Sequence, residues 1–334
     1  MSMFICSDLH INEAKRFKDT RFILHKIVEQ IKSCMPTYVA VTGDIFDKRK
    51  PSPLEMQCFN KWLMSVRDHV IDSVILLEGN HDQDRGISSL SYLSDLNINK
   101  VKVVAPPYIF KTEGSKDVPR LKFYFGHEQI SGAMTSNNIA LSEGVSIESL
   151  IENNPDVDIF AFGHFHKSQV LHKNPLIFYV GSINNLTFAE RLDTKVTWFF
   201  DNKGKIHSLS LPTRKMYQFD IEVFKDNKEA SAPWKDVNLA DSMVKIVFTG
   251  TKEALKQVNK DNIKKMILGR DVFSLKIEYN VISKSITRNS KITESIKEEV
   301  ALKEYFKDKQ MDETEKEDII NAGLKLISEV NGNG

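Results

Sequence analysis

Short apolar runs recur along the chain at Phe4–Ser7, Tyr38–Thr42, Val74–Leu77, Val101–Val104, Leu121–Phe125 and Val157–Phe162. Runs of this length, closed by glycine or polar turn residues, predict buried strands. Between them the period changes. Ile23, Ile27 and Ile31 share one helical face, so a helix is expected from a cap at Asp19 or Thr20 to about Ser33. Pro51 and Pro53 open a second helix to about Val70, and a short one is expected near Ser88–Leu96. Lys111–Arg120 reads as a polar loop, and further strands are expected at Ile177–Val180, Val196–Phe200 and Ile206–Leu209. Helices alternating with apolar strands predict a layered α/β domain over residues 1–213.

Beyond it the texture changes. Met216–Phe224 and Met243–Phe248 read as strands, Thr251–Leu268 as a helix and Val272–Ile282 as a strand, which makes 214–282 a small α+β domain. Ser283–Lys291 is polar and without periodicity, a linker. Residues 292–334 hold two helices with a break at Gln310–Asp312. Their apolar positions, Ile296 and Val300 with Leu302, Tyr305 and Phe306 in the first and Ile319, Ile320, Leu324, Leu326 and Ile327 in the second, form stripes that a polar linker would leave without a core. In the helix opened by Pro53, Met56, Phe59, Leu63, Val66 and Val70 recur at three- and four-residue steps. That seam suits either a second copy of the chain or the protein's own sheet.

The 334 residues, 41% hydrophobic, suffice for one large core and a further domain. No stretch reaches the ~18 uncharged apolar residues of a membrane span. The N-terminus lacks a basic segment and meets Asp8 at once, so no signal peptide is expected. Cys6, Cys34 and Cys58 cannot all pair, which suggests free thiols in a reducing cytoplasm. A net charge of +1 supplies no global field toward nucleic acid, so any such contact must be local.

The candidate chemistry lies at the strand ends. In order they read Asp8-Leu9-His10, Gly43-Asp44, Gly79-Asn80-His81-Asp82, Gly126-His127 and Gly163-His164-Phe165-His166. Ligands of open α/β folds bind beyond the carboxyl ends of strands. In a turn opened by glycine, His164 and His166 can face one cleft. Five of the nine histidines fall in these loops, whereas His25, His69, His172 and His207 read as ordinary surface or packed residues. Carboxylate, amide and imidazole without thiolate suit Mn²⁺, Fe²⁺ or Zn²⁺. The set is too large for one ion with open positions and fits two ions bridged by a carboxylate, about 3.5–4 Å apart, as in phosphoryl-transfer sites.

The succession DxH, GD, GNHD, H and GHxH resembles the calcineurin-like metallophosphoesterase superfamily. Within it, Gly43-Asp44-Ile45-Phe46-Asp47, Tyr179-Val180-Gly181-Ser182, the small α+β unit and the terminal helices resemble the SbcD-type nucleases of DNA repair and recombination, with a length and tail like the bacteriophage branch. The resemblance covers nearly the whole chain and is strongest over 1–200. It implies an α/β metallophosphoesterase fold with a capping domain and a C-terminal helical pair. It puts Asp8, His10 and His166 on one metal and Asn80, His127 and His164 on the other, with Asp44 bridging. His81 matches a non-ligand histidine acting on the phosphate or leaving oxygen. Asp47 stands where many relatives carry histidine, which leaves open what orients His81. Asp82 is a supporting or structural residue, and Lys48, Arg49 and Lys50 are either solvated charges or DNA-backbone contacts. The implied cofactors are two divalent ions, Mn²⁺ with Mg²⁺ as the other choice. The implied partners are DNA, an SbcC-like ABC ATPase whose coiled-coil base takes the terminal helices, and a second copy through the helix near 53–70. The implied activities are 3′→5′ exonuclease on duplex DNA and ATP-gated endonuclease at single strands or hairpins, in the cytoplasm, or the host's cytoplasm for a phage-encoded chain. The rivals are a phosphodiesterase or phosphatase of non-DNA substrates, and a non-catalytic DNA-tethering subunit.

Overall fold

The computed structural model describes residues 1–113, 120–223, 232–282, 298–307 and 311–331. The expected linker 283–291, the first residues of the expected tail and part of the Lys111–Arg120 loop lie outside the described residues. In chain order the first elements are β1 (Met3–Cys6), α1 (Phe17–Cys34), β2 (Tyr38–Thr42), α2 (Pro53–Arg67), β3 (Ser73–Leu77), the hairpin strands β4 (Gln83–Asp84) and β5 (Ile87–Ser88), and α3 (Ser91–Asp95). Then come β6 (Val101–Val104), β7 (Tyr108–Lys111), β8 (Lys122–Gly126), α4 (Ile147–Asn153), β9 (Ile159–Phe162), β10 (Gln169–Lys173), β11 (Leu176–Tyr179), β12 (Val196–Phe200) and β13 (Ile206–Ser210).

They build two stacked sheets, one ordered β13-β12-β1-β2-β3-β6 and the other β10-β11-β9-β8-β7. Strands β1, β2, β3 and β6 run parallel, as do β8, β9 and β11, so their carboxyl ends gather on one side. Alternation along each strand sets the layers. Met3 and Ile5 join Tyr38, Ala40, Phe123, Phe125 and Phe178 between the sheets. Phe4 and Cys6 face the other way, with Val39, Val41 and the apolar sides of α1 and α2. Tyr124, Phe160, Phe162 and Tyr179 form a third cluster with Leu150 of α4. Central strands buried on both faces explain why they read as continuous apolar runs. This is the layered α/β architecture that the alternation of apolar strands and helices predicts.

The remaining elements are β14 (Met216–Val223), β15 (Met243–Gly250), α5 (Lys252–Leu255), α6 (Lys260–Leu268), β16 (Ser274–Val281), α7 (Glu298–Lys307) and α8 (Glu313–Asn331), with β14-β15-β16 forming a small sheet. The expected helix over Thr251–Leu268 is thus two, with a cap-type residue, Asn259, immediately before α6. The chain packs as two compact units. One comprises Met1–Phe219, Ala232–Ile246 and Lys260–Ile277, and the other Asp220–Ser231, Val247–Asn259 and Glu278–Gly334. Within the second, α7 and α8 form a hairpin, and Gly323 of α8 leaves room for the Leu302 side chain of α7. Val300, Tyr305, Ile319 and Leu326 of this hairpin remain exposed.

The expected intermolecular seam on α2 needs correction. Phe59, Leu63 and Val66 are fully buried, and Val70 nearly so, in the core between α1, α2 and the first sheet. Their apolar area is consumed within the protein and offers nothing to a second copy. The three cysteines are unpaired. Among the described residues no helix is long and apolar enough to cross a membrane.

Candidate metal centre

The loops leaving β1, β2, β3, β8 and β9 converge because the strands that carry them are neighbours or face each other across the sandwich. Backbone hydrogen bonds lace the first two together: Asp8 N–H donates to Gly43 O at 3.1 Å and His10 N–H to Asp44 O at 3.0 Å. The fifth loop is hooked on by His164 N–H, which donates to Asp8 Oδ1 at 3.0 Å. Glycine is required where these loops touch. At Gly43, with φ +97°, a side chain would collide with the His127 ring, and at Gly163 it would run into Thr42 O, Ser7 Oγ and His127 Nδ1.

The side chains fall into two groups of potential ligands, Asp8, His10 and His166 in one and Asp44, His127 and His164 in the other. In the first, His10 Nε2 lies 3.1 Å from His166 Nε2 and 3.9 Å from Asp8 Oδ1. In the second, Asn80 Oδ1 lies 3.1 Å from both His127 Nε2 and His164 Nδ1. Asp44 reaches both groups: Oδ2 is 3.7 Å from His10 Nε2 and Oδ1 is 3.3 Å from His127 Nε2. His127 Nδ1–H donates to Thr42 O at 2.8 Å, which turns Nε2 toward the cluster as a lone-pair donor. Every residue that the sequence pattern singled out as a ligand is therefore at this one place.

The donor set fits divalent cations. Asp8 Oδ2 is buried without a hydrogen-bond donor, and His10 Nδ1 is buried without a partner within hydrogen-bond distance. Burial alone would push the Asp44 carboxyl up, but the hydrogen bond from His127 and the nearby His127 and His10 rings hold it down at about 2. Burial likewise opposes charge on His127, yet Asp44 and Asp8 raise its pKa to about 9. A site that stabilises a buried imidazolium so strongly is a negative field, and a cation placed there meets the same field. Cys6 is no ligand candidate, since its side chain packs in the apolar cluster under α1 and α2 and belongs to neither ligand group.

His81 is placed beside the first group, its ring 5.1 Å from that of His10 and edge-on to it. Its Nδ1 lies 3.0 Å from the backbone oxygen of Asp47, and its backbone N–H donates to Asp44 Oδ1 at 2.9 Å. The carbonyl of Asp47 thus orients His81, which answers what the missing histidine at that position leaves open. The Asp47 carboxylate turns the other way: Oδ1 is 3.6 Å from His10 Nδ1, while Oδ2 accepts from Asn12 at 2.5 Å and Lys15 at 3.0 Å. Asp82 touches no candidate ligand side chain. Its carboxylate accepts from the backbone N–H groups of Ile45, Phe46 and Gly79 and ties the second loop to the third, although burial pushes its pKa up to about 6. Lys48, Arg49 and Lys50 are all exposed just beyond the second loop, with Lys50 3.3 Å from Asp84 of the hairpin that follows His81. The four other histidines have local partners: Glu29 for His25, Ser65 O for His69, Pro175 O for His172 and Asp201 for His207.

Two residues behind His166 escape the sequence reading. Glu190 Oε1 lies 3.4 Å from His166 Nδ1, and Lys195, with no exposed side-chain surface, donates to Glu190 Oε2 at 2.7 Å. The only local signal was the capping pattern Thr187-x-x-Glu190, which speaks of a helix start and not of a metal site.

Residues 1–198 match the family described as Calcineurin-like phosphoesterase superfamily domain. The chain belongs to the calcineurin-like phosphoesterase superfamily. As such it is of a hydrolase family that works with divalent metals, and the two ligand groups lie within the matched residues. A curated relative, the SbcD component of the nuclease SbcCD from Staphylococcus saprophyticus, is 22% identical over 276 residues, spanning 69% of this chain and 73% of that one. Among solved structures, a Pseudomonas putida nuclease, MPE, is 16% identical with a TM-score of 0.35, covering 62% of this phosphoesterase and 87% of that protein. A cold-active protein-tyrosine phosphatase of a psychrophilic Shewanella is 14% identical with a TM-score of 0.33, covering 62% and 80%.

Proposed function

We propose that this phosphoesterase is a two-metal DNA phosphodiesterase, the nuclease component of an SbcCD-like complex. The observation that carries the two-metal reading is Asp44, whose two carboxylate oxygens face different ligand groups 3.7 and 3.3 Å away. Asp8, His10 and His166 are the ligands of one ion and Asn80, His127 and His164 those of the other, with Asp44 shared. Two divalent ions, Mn²⁺ or else Mg²⁺, supply a lowered pKa for a shared water and neutralise charge on the phosphoryl oxygens. The protein's own part is placement. Asn80 and the imidazoles hold their donor atoms inward. Asp47 O takes Nδ1–H of His81 and leaves Nε2 as the ring nitrogen available to the leaving 3′-oxygen.

The DNA substrate is supported by the similarity to the SbcD component of nuclease SbcCD, which extends past the phosphoesterase domain. On that reading the duplex is degraded 3′→5′, single strands and hairpins are cut under control of an ABC ATPase, and Lys48, Arg49 and Lys50 meet the DNA backbone. Residues 214–282 cap the site, and residues 292–334 dock on the ATPase. The exposed apolar residues of the α7–α8 hairpin support that last assignment.

The test is digestion of end-labelled linear duplex DNA with Mn²⁺ or Mg²⁺, with and without the ATPase, beside a generic phosphodiester and a phosphomonoester. Nucleotide release dependent on metal is expected. Turnover of the small esters with intact DNA would replace the nuclease reading with a non-DNA phosphodiesterase or phosphatase. A folded, metal-loaded protein that hydrolyses nothing would make it a tethering subunit.

A further inference from the structure

Behind the His164–His166 turn lies an ion pair that the proposed chemistry does not use. Lys195 is a buried ammonium, and its Nζ donates to three acceptors: Glu190 Oε2 at 2.7 Å, Ser182 Oγ at 2.9 Å and the backbone oxygen of His166 at 2.9 Å. Glu190 is equally buried, accepting from the backbone N–H groups of Leu186 and Thr187, both at 3.2 Å, and from Thr187 Oγ1 at 3.1 Å. Its Oε1 also faces His166 Nδ1 at 3.4 Å. Burying two charges costs much desolvation, and a well-packed apolar pair would often be as stable. The pair therefore calls for a reason besides stability. Its contacts point to one: ammonium and carboxylate grip the same histidine, the first by its main chain and the second by its ring.

We propose that Glu190 and Lys195 are positioning residues for the first of the two metal sites. Glu190 takes the Nδ1–H of His166, so the ring presents Nε2 to the side where Asp8 and His10 lie. Lys195 holds the carbonyl of His166 and so fixes the turn from which the ring projects. A carboxylate behind a ligating imidazole sets its tautomer and raises its basicity, and losing it typically weakens metal binding by about 10–100-fold. Among the described residues no carboxylate stands behind a ring of the second group in this way: His127 is set by the carbonyl of Thr42, on another loop. The effect of the pair should therefore fall on one site only. This inference rests on the two-metal reading.

The experiment is calorimetric titration of the full-length protein with Mn²⁺, together with thermal melting of the metal-free form, for the wild type and Glu190→Gln. The amide keeps the shape of the carboxylate, and Asp193 Oδ2, 3.9 Å from Lys195 Nζ, remains as a counter-ion. One site weakened about 10–100-fold, the other unchanged, is the expected result. Two wild-type affinities in a folded Glu190→Gln protein, or both sites weakened in step with a lower melting temperature, would overturn it, the latter marking the pair as scaffold alone. If Glu190→Gln does not fold, Glu190→Gln/Lys195→Met, which leaves no lysine charge buried, is titrated with the same two readings. A wild-type protein that binds fewer than two ions overturns the two-metal reading itself and this inference with it.

Discussion

Asp8, His10, Asp44 and His164 all adopt positive φ, at 50°, 42°, 52° and 85°. Such conformations cost non-glycine residues on the order of 1–3 kcal/mol each and persist where the surroundings over-determine them. Here the loops hold one another through Asp8 N–H to Gly43 O, His10 N–H to Asp44 O and His164 N–H to Asp8 Oδ1. The loops thus hold one another's strained conformations through main-chain N–H donors. Two outcomes follow at this scale. His81→Asn should lower DNA hydrolysis by more than about a hundredfold while both Mn²⁺ titrate as in the wild type, since His81 offers no atom to either ligand group. An ion lost from His81→Asn would move that residue into the ligand set. Asp44→Ala should lose both ions, because the carboxylate proposed to be shared between them disappears, whereas His10→Ala should weaken mainly one. Two normal sites in Asp44→Ala would remove it from the bridge.

At the scale of elements, α2 shows how an apolar stripe can mislead. Its three- and four-residue spacing suits a seam between copies as well as a helix lying on its own sheet, and local periodicity cannot distinguish them. Burial does. Phe59→Glu should therefore unfold the protein instead of dissociating it. Even Phe59→Ala should cost about 3–5 kcal/mol, measured by denaturant titration. An unchanged stability would return the stripe to an interface. A second element-scale contact joins α1 to the segment after β13: Arg214 donates to both oxygens of Asp19, which also takes Arg16 at 2.9 Å. Burial works against the Asp19 charge, but the hydrogen bonds from Arg214 and Arg16 prevail and lower its pKa. A carboxyl with a lowered folded pKa adds stability above its unfolded pKa and loses it as pH falls through the folded one. Arg214→Gln should cost about 2 kcal/mol at neutral pH. The difference from wild type should shrink below the ordinary carboxylate range, and a gap in melting temperature that stays constant to acid pH would contradict this coupling. Several elements left little trace in the sequence. β7 and β10 are half-exposed strands whose apolar runs are only three and two residues long, and α4 has one buried residue, Leu150.

For the whole molecule, the division of labour between residues 1–213 and the tail is open to one experiment. Every candidate ligand lies before residue 167, inside the first compact unit, while α7 and α8 belong to the second. A chain ending at Ser290 should degrade linear DNA in Mn²⁺ at close to the full-length rate and fail to co-purify with the ATPase. Co-purification of the shortened chain, or a folded shortened chain without Mn²⁺-dependent digestion, would refute that assignment.

The central strands, the glycines closing them and the candidate metal-ligand residues after them were legible because each is a local signal. A strand buried on both faces must be apolar throughout, and a loop that crowds an imidazole must open with glycine. Chemistry carried by residue type at a strand end, as in Asp8-x-His10 or Gly163-His164-x-His166, survives without knowledge of the fold. What only the tertiary structure decided are the relations between distant segments. Asp44 divides its two oxygens between ligand groups drawn from five loops. The main-chain carbonyl of Asp47, which no side-chain identity encodes, orients His81. Glu190 and Lys195 reach His166 from 24 and 29 residues away. Whether α2 faces its own sheet or a neighbour is settled by the same cause: burial and donor–acceptor pairing are properties of the packed chain, and a linear sequence lists the groups without their distances.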